Sequence, residues 1–285
     1  MSDFDHNNTA PGESVEGRMS RRLVTVADML GNVRHNADTA AGAVTSGTLC
    51  RFKCVADVGC DHGYVSLYLV QHGIADRAIA MDIRKGPLAM ADNNINSFGL
   101  SDCITTRLSD GLSLLEPGEA DCLVIAGMGG KLMISILEKK SLRELGIEAA
   151  VLQPQSDLDE FRQYLRYKGY RILQERVILE DGKYYFPLRI EIKSESGQDD
   201  GGDNVSLVSK LLGGISFAEA LRICNRYGEH NILERDPVLK DFLVHGKEVC
   251  QSILGSLDRE LHRGRYNQVN TELEDLNRVL EIYTR

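Results

Sequence analysis

The sequence predicts an α/β protein, with a doubly wound, mostly parallel sheet followed by a helical domain. Three observations carry this. Short apolar runs alternate with longer segments from Cys54 onward. The last two runs are joined by a tight-turn signal, Glu180-Asp181-Gly182. Beyond Asp236-Pro237 the apolar residues recur at helical spacing. Strand–helix alternation is the signature of a parallel sheet covered on both faces.

The elements follow in order. Residues 1–18 are polar and aperiodic, which predicts a disordered tail. Residues 20–30 predict a short amphipathic helix with Ser20 as N-cap. Residues 31–49, rich in Gly, Ala, Thr and Asn, read as a loop. Strands are expected at 54–58, 78–83, 103–108, 122–127, 149–154, 171–179 and 184–192. Helices lie between the first six, among them 63–73 and 157–168, the latter with Asp157 near its cap. The last two strands read as an antiparallel hairpin at the edge of the sheet. A parallel sheet closed by such a hairpin is the seven-stranded arrangement of a class I, Rossmann-like methyltransferase.

Residues 194–203 form an acidic linker. Leu239, Phe242, Val249, Ile253, Leu257 and Leu261 make one helical stripe. After a break at Arg263-Gly264-Arg265, Val269, Leu273, Leu276, Leu280 and Tyr283 make a second. Two such helices predict an antiparallel, coiled-coil-like hairpin. The expected organisation is a tail at 1–18, an α/β domain at 19–193, the linker, and a helical domain at 204–285.

Bulk properties exclude several classes. No run approaches the roughly 20 apolar residues of a membrane span. The N-terminus lacks a basic segment followed by an apolar one, so no signal peptide is expected. The seven cysteines are odd in number, and none shows CxxC spacing. Reduced thiols in a cytoplasmic protein are the expectation. The net charge is −9, but residues 1–17 carry −4 and residues 194–203 another −4. The folded body is then close to neutral, which permits nucleic-acid binding without demonstrating it.

The strongest chemical signal is Asp57-Val58-Gly59-Cys60-Asp61-His62-Gly63, after the first strand and opening a helix. Dinucleotide binders hold a pyrophosphate at such a turn. Two carboxylates would repel a pyrophosphate, whereas they suit a ligand bearing an ammonium and a sulfonium. S-adenosylmethionine is such a ligand. Gly59 lets the backbone approach it. Asp82, near the end of the second strand, is placed to accept from ribose hydroxyls, with Ile83 beside it. Asp110-Gly111 follows the third strand, where an acid can face the cofactor's adenine. Ala126-Gly127-Met128-Gly129-Gly130 ends the fourth, leaving room for a flat base. No Asn-Pro-Pro-Tyr motif occurs there, so backbone carbonyls would meet that base. Arg162, Arg166, Lys168 and Arg171 interleave with Tyr164, Tyr167 and Tyr170, a pattern that can touch phosphates and stack bases. For any one of these residues a solvated helix face is the simpler reading. No metal-ligand cluster or nucleophile elbow is present in the sequence, so no metal is expected.

These blocks resemble the bacterial TrmK family of tRNA (adenine-N1)-methyltransferases. The resemblance is carried by Ser20-Arg21-Arg22-Leu23, Ala56 to Tyr64, Asp110-Gly111-Leu112, Ile125 to Gly130, Leu152-Gln153-Pro154 and Glu180 to Lys183. It implies S-adenosylmethionine as methyl donor and adenine 22 of tRNA as acceptor. It further implies a cofactor site lined by Arg22, Asp57, Gly59, Asp61, His62, Asp82, Ile83, Asp110, Gly111, Ala126, Gly127 and Met128. Asp61 and Tyr64 become the catalytic candidates and Gln153 and Lys183 substrate contacts, to which the basic-aromatic pattern adds Arg162 and Arg166. The chain departs from the pattern at the long 31–49 loop, at Cys60 for Ser, at Val65-Ser66 and at Asp82 for Glu. Two alternatives stay open at this level: a methyltransferase of a small molecule or protein, and a non-catalytic RNA-binding module. The oligomeric state is not legible.

Overall fold

A computed structural model of the chain describes residues 14–31, 52–192 and 201–284. Residues 32–49 of the expected loop and most of the acidic linker lie outside these residues, as does Cys50, while Gly31 ends a helix. The sheet is built from β1 (Phe52–Val58), β2 (Ala75–Asp82), β3 (Ile104–Leu108), β4 (Cys122–Met128), β5 (Ala149–Pro154), β6 (Arg171–Glu175) and β9 (Leu188–Glu191). Between the last two, β7 (Ile178–Glu180) and β8 (Lys183–Tyr185) form a separate two-stranded ribbon. The seven-stranded order is β3-β2-β1-β4-β5-β9-β6. Strands β1 to β5 pair in parallel, and β9 runs antiparallel to both its neighbours. The order reverses beside β1, so the crevice between the β1 and β4 carboxyl ends is the topological switch point.

Alternation along the strands divides two cores. Ala56, Val58, Ile79, Met81, Leu123 and Ile125 face one way. There they pack under α4 (Gly130–Lys139), α5 (Leu142–Leu145) and α6 (Leu158–Tyr167). Val55, Ala78, Ala80, Cys122 and Val124 face the other way. They meet α1 (Arg21–Gly31), α2 (Tyr64–Gln71) and α3 (Lys85–Ser97). Near-continuous apolar strands are what a sheet covered on both faces requires.

The structure amends the expected edge hairpin. Residues 171–179 and 184–192 do not form two unbroken strands: the ladder is interrupted at Arg176-Val177 and Phe186-Pro187. Pro187 has no N–H for a ladder. Val177 and Phe186 leave the sheet to enter the core of the helical domain. The tail boundary also moves. Residues 15–18 form a 3-10 turn with Val15 fully buried and its N–H bonded to Gln71 Oε1 at 3.0 Å.

The helical domain contains α7 (Gly201–Leu211), α8 (Phe217–Tyr227), α9 (Glu229–Leu233), α10 (Pro237–Ser256) and α11 (Arg263–Leu280). It thus begins inside the expected linker. The α10–α11 hairpin is present, but its break falls at 257–262, and Arg263-Gly264-Arg265 opens α11 instead. Asp236 caps α10 by accepting from Val238 N at 2.8 Å and Leu239 N at 3.1 Å, ahead of Pro237 at the first position. Ser216 and Glu219 close a capping box on α8. No helix among the described residues is long and apolar enough to cross a membrane.

Candidate active site

The carboxyl ends of β1, β2 and β4 open onto a cavity of about 460 Å³, within the roughly 300–1,000 Å³ span of small-ligand sites. Its floor is the turn after β1. Gly59 sits at φ +77°, and its N–H donates to Met81 O at 2.8 Å. A Cβ at Gly59 would lie 2.3 Å from Met128 Cε, so the thioether methyl occupies the space a side chain would need. Gly63 follows at φ +74° and starts α2 against Ala91.

Asp57 ends buried beneath this turn. Its Oδ2 accepts from Ser66 N at 3.2 Å and Ser66 Oγ at 2.8 Å, tying β1 to α2. No hydrogen bond among the described residues reaches Oδ1, and the residue lines the cavity. Burial pushes the carboxyl up to about 6. The two Ser66 bonds oppose that rise, and the charge of Asp82 adds to it. Asp82 is only 4% exposed. Its Oδ1 accepts from Arg84 N at 2.8 Å and faces Arg84 Nε at 3.4 Å, and no hydrogen bond among the described residues reaches Oδ2. Ile83, beside it, is 61% exposed and gives the mouth an apolar edge.

Asp61 has φ 51° and a side chain 60% exposed, with His62 Nε2 3.7 Å from its Oδ2. His62 and Tyr64 stack at 5.6 Å between ring centroids, forming one wall. Asp110 lies on the far side, ion-paired with Lys139. Gly111 at φ +59° keeps that turn against Ile136, whose Cγ2 would be 2.9 Å from an added Cβ. On the β4 side, Ala126, Gly127 and Met128 line the cavity. Gly127 has φ +81° and is the extra residue of a register shift between β4 and β5. Such bulges re-aim the chain next to sites.

Every expected cofactor-site residue, and Tyr64, thus lines one cavity. The chemistry of its walls fits S-adenosylmethionine. Open carboxylate oxygens on Asp57 and Asp82 suit an ammonium and a ribose diol. Arg22 supplies a cation for a carboxylate, and Ile83 and Leu132 supply apolar edges for a purine.

Comparison with known proteins agrees. Residues 46–188 match the methyltransferase-domain family. The chain is 30% identical over 266 residues to the tRNA (adenine(22)-N(1))-methyltransferase of Bacillus subtilis, covering 93% of this chain and 98% of that one. The chain belongs to this methyltransferase family. Among solved structures, the B. subtilis m1A22 tRNA methyltransferase TrmK aligns with TM-score 0.68 and 28% identity, over 92% of this chain and 98% of that one. A Streptococcus pneumoniae protein crystallised with S-adenosyl-L-methionine aligns with TM-score 0.68 and 25% identity, over 92% and 99%.

Of the expected substrate contacts, Arg162, Arg166 and Gln153 are engaged in contacts within the protein, whereas Lys183 is exposed. Arg162 is fully buried: its Nε donates to Glu175 Oε1 at 2.7 Å and its Nη1 to Asn225 O at 2.9 Å. Arg166 pairs with Glu229 at 2.6 Å and with Asn225 Oδ1 at 2.9 Å. Both arginines fasten the helical domain to the sheet domain, and Arg166 also lines a second cavity. Gln153 is also fully buried, its Oε1 accepting from Arg22 Nη1 at 2.7 Å and Gly127 N at 3.2 Å. Lys183 is exposed at the tip of the β7–β8 ribbon, which touches Arg22 through Glu180 and Tyr185.

Five lining residues were missed by sequence reasoning: Arg84, Ser109, Leu132, Ile136 and Gln155. Ser109 and Arg84 sit one and two residues from acids already singled out. Gln155 follows Pro154 at the β5 end, where the adjacent Gln153 drew the assignment.

Proposed function

We infer that this protein transfers a methyl group from S-adenosylmethionine to N1 of an adenine in tRNA, in the cytoplasm, and that the adenine is residue 22. The carrying observation is the near full-length match to the B. subtilis enzyme of that activity, joined to a cavity lined by the residues the chemistry calls for.

When bound, S-adenosylmethionine supplies an electrophilic methyl on a sulfonium that already leaves well. The chain must therefore mainly align donor and acceptor. Adenine N1 has an in-plane lone pair and needs no base to expose it. In this reading Asp82 Oδ2 takes the ribose hydroxyls, while the Arg84 N–H holds the other oxygen still. Asp57 Oδ1 faces the ammonium, and Arg22 faces the carboxylate of the donor's amino-acid end. Asp110 and Gly111 border the adenine end.

Methylation leaves a cation on the base, so a carboxylate near the acceptor lowers the barrier. Asp61 fills that role, held in its left-handed conformation at the open side of the loop. The stacked His62 and Tyr64 wall shapes the acceptor space. N1 faces the interior of a folded tRNA, so the base must leave its stack to enter. Exposed Lys183 suits a phosphate contact that positions the substrate without reading sequence.

The test is labelled methyl transfer to two tRNA transcripts, one with adenine and one with another base at residue 22. Incorporation into the first alone is the expected result. Equal incorporation into both would refute the assigned position.

A further inference from the structure

Gln153 is fully buried and outside the cavity lining, yet it touches two residues that line it. One is Arg22, whose Nη1 donates to Gln153 Oε1 at 2.7 Å. The other is Gly127, whose backbone N–H donates to the same oxygen at 3.2 Å. Arg22 is itself fixed. Its own N–H donates to Glu180 Oε1 at 3.2 Å, and its guanidinium lies 5.1 Å over the Tyr185 ring. The helix that carries it is capped at its far end by the buried Arg189, which donates to Met29 O at 3.0 Å. Gln153 Oε1 therefore rests against a rigid partner, and Gly127 is the element it orients.

The Gly127 N–H points off the cavity, onto Gln153. A trans peptide sets its C=O opposite its N–H. The Ala126 carbonyl is thereby turned away from Gln153, and Ala126 itself lines the cavity. The register shift at Gly127 releases this peptide from the regular ladder, and the next β5 residue, Pro154, has no N–H to offer it.

We propose that Gln153 is a positioning residue for base specificity: by holding the Gly127 N–H it aims the Ala126 carbonyl at the exocyclic amino group of the acceptor adenine. The proposal rests on the adenine reading above. The 6-amino group lies beside N1, so one carbonyl can accept from it while N1 meets the methyl donor. A guanine would present an oxygen there, and two acceptors would face each other. Discrimination of this kind is strong because the mismatched base leaves a site group unpaired.

The experiment uses the full chain and tRNA assembled from synthetic halves with adenosine or purine riboside, which lacks the amino group, at residue 22. The readout is the ratio of kcat/KM for the two substrates. It is compared with the ratio at which the free nucleosides react with a small methylating reagent in water, which removes their intrinsic difference. The wild type is expected to exceed the solution ratio by about tenfold or more, as one hydrogen bond of about 1.4 kcal/mol provides. Gln153→Glu keeps an acceptor oxygen and should keep the excess. Gln153→Leu should fall to the solution ratio while still binding S-adenosylhomocysteine in a calorimetric titration. A wild type at the solution ratio overturns the proposal and needs no variant to fold. A cofactor-binding Gln153→Leu that keeps the wild-type excess overturns it as well. A wild type inert toward adenine-containing tRNA would overturn the adenine reading and this assignment with it.

Discussion

Arg162 Nε donates to Glu175 Oε1 at 2.7 Å, with both side chains 1% exposed. The pair joins α6 to β6 at the point where the helical domain docks. Glu175 Oε2 also accepts from His230 N at 3.2 Å. Arg162 reaches the carbonyl of Asn225, near the end of α8. A Cβ on Gly228 would come within 2.5 Å of Glu175 Oε2, so only glycine lets the chain pass this carboxylate.

Breaking one half of a buried pair strands the other charge. Arg162→Met should destabilise the protein by about 3–5 kcal/mol. The double variant Arg162→Met/Glu175→Leu should recover much of that loss, because no unpaired ion remains. Urea denaturation of the three proteins checks this. A single variant as stable as the parent would show that the pair does not hold the two domains. The same contacts predict that a chain ending before α7 loses stability, since Arg162 and Arg166 would lose their partners in α8 and α9.

Asp82→Ala should weaken S-adenosylhomocysteine binding at least tenfold and leave the far-ultraviolet spectrum unchanged. The carboxylate has one oxygen anchored by Arg84 N and one open to the cavity. Charged hydrogen bonds of the kind a ribose diol would make are worth about 1.5–3 kcal/mol each. Unchanged affinity in a folded variant would remove Asp82 from the site.

Asp57 gives a pH signature with opposite signs. Its carboxyl is raised from 3.8 to about 6 in the folded protein, chiefly by burial. The folded state therefore favours the protonated form. That contribution to stability is fully present below about 3.8 and is lost as pH rises through about 6. Cofactor binding should run the other way, weakening as pH falls through about 6, because the ammonium needs a carboxylate partner. Asp57→Asn should flatten both profiles in this window. Calorimetric titrations and denaturation curves between pH 5 and pH 7.5 test it, and a parent protein with a flat binding profile would contradict the assigned role.

Two glycines separate packing from binding. Gly130 would bring a Cβ within 2.4 Å of the Ser156 carbonyl, a backbone atom that cannot step aside. Gly59 would meet only the mobile tip of Met128, at 2.3 Å, though its φ of +77° also resists a side chain. Gly130→Ala should cost more folding stability, and Gly59→Ala more cofactor affinity per unit of stability lost. Thermal melts beside S-adenosylhomocysteine titrations of both variants check the ordering.

The lining of the candidate site was legible in the sequence because local motifs carry it. Asp57 to Gly63, Asp82, Asp110-Gly111 and Ala126 to Met128 each end a strand, and the parallel topology gathers strand ends at one edge. The substrate contacts were not legible for the opposite reason. Whether Arg162 meets solvent or Glu175 depends on α8, over fifty residues away in the chain. Gln153 lies within β5, and only its bonds to Arg22 and Gly127 reveal its place behind the cavity. The interrupted edge hairpin was hidden likewise, since Val177 and Phe186 answer to the helical domain's core rather than to strand alternation. The break after α10 was misplaced because Arg-Gly-Arg reads as a turn, although it can equally open a helix, as it does in α11.

Methyl transfer to N1 of adenine in tRNA is read most directly from the nucleosides it produces. Unmodified tRNA is incubated with the full chain and S-adenosylmethionine, digested to nucleosides, and analysed by mass spectrometry against standards. The expected product is 1-methyladenosine, stoichiometric with tRNA and absent when adenine 22 is replaced. Methyl groups found only on N6 of adenine, on another base, or nowhere in the tRNA would contradict it.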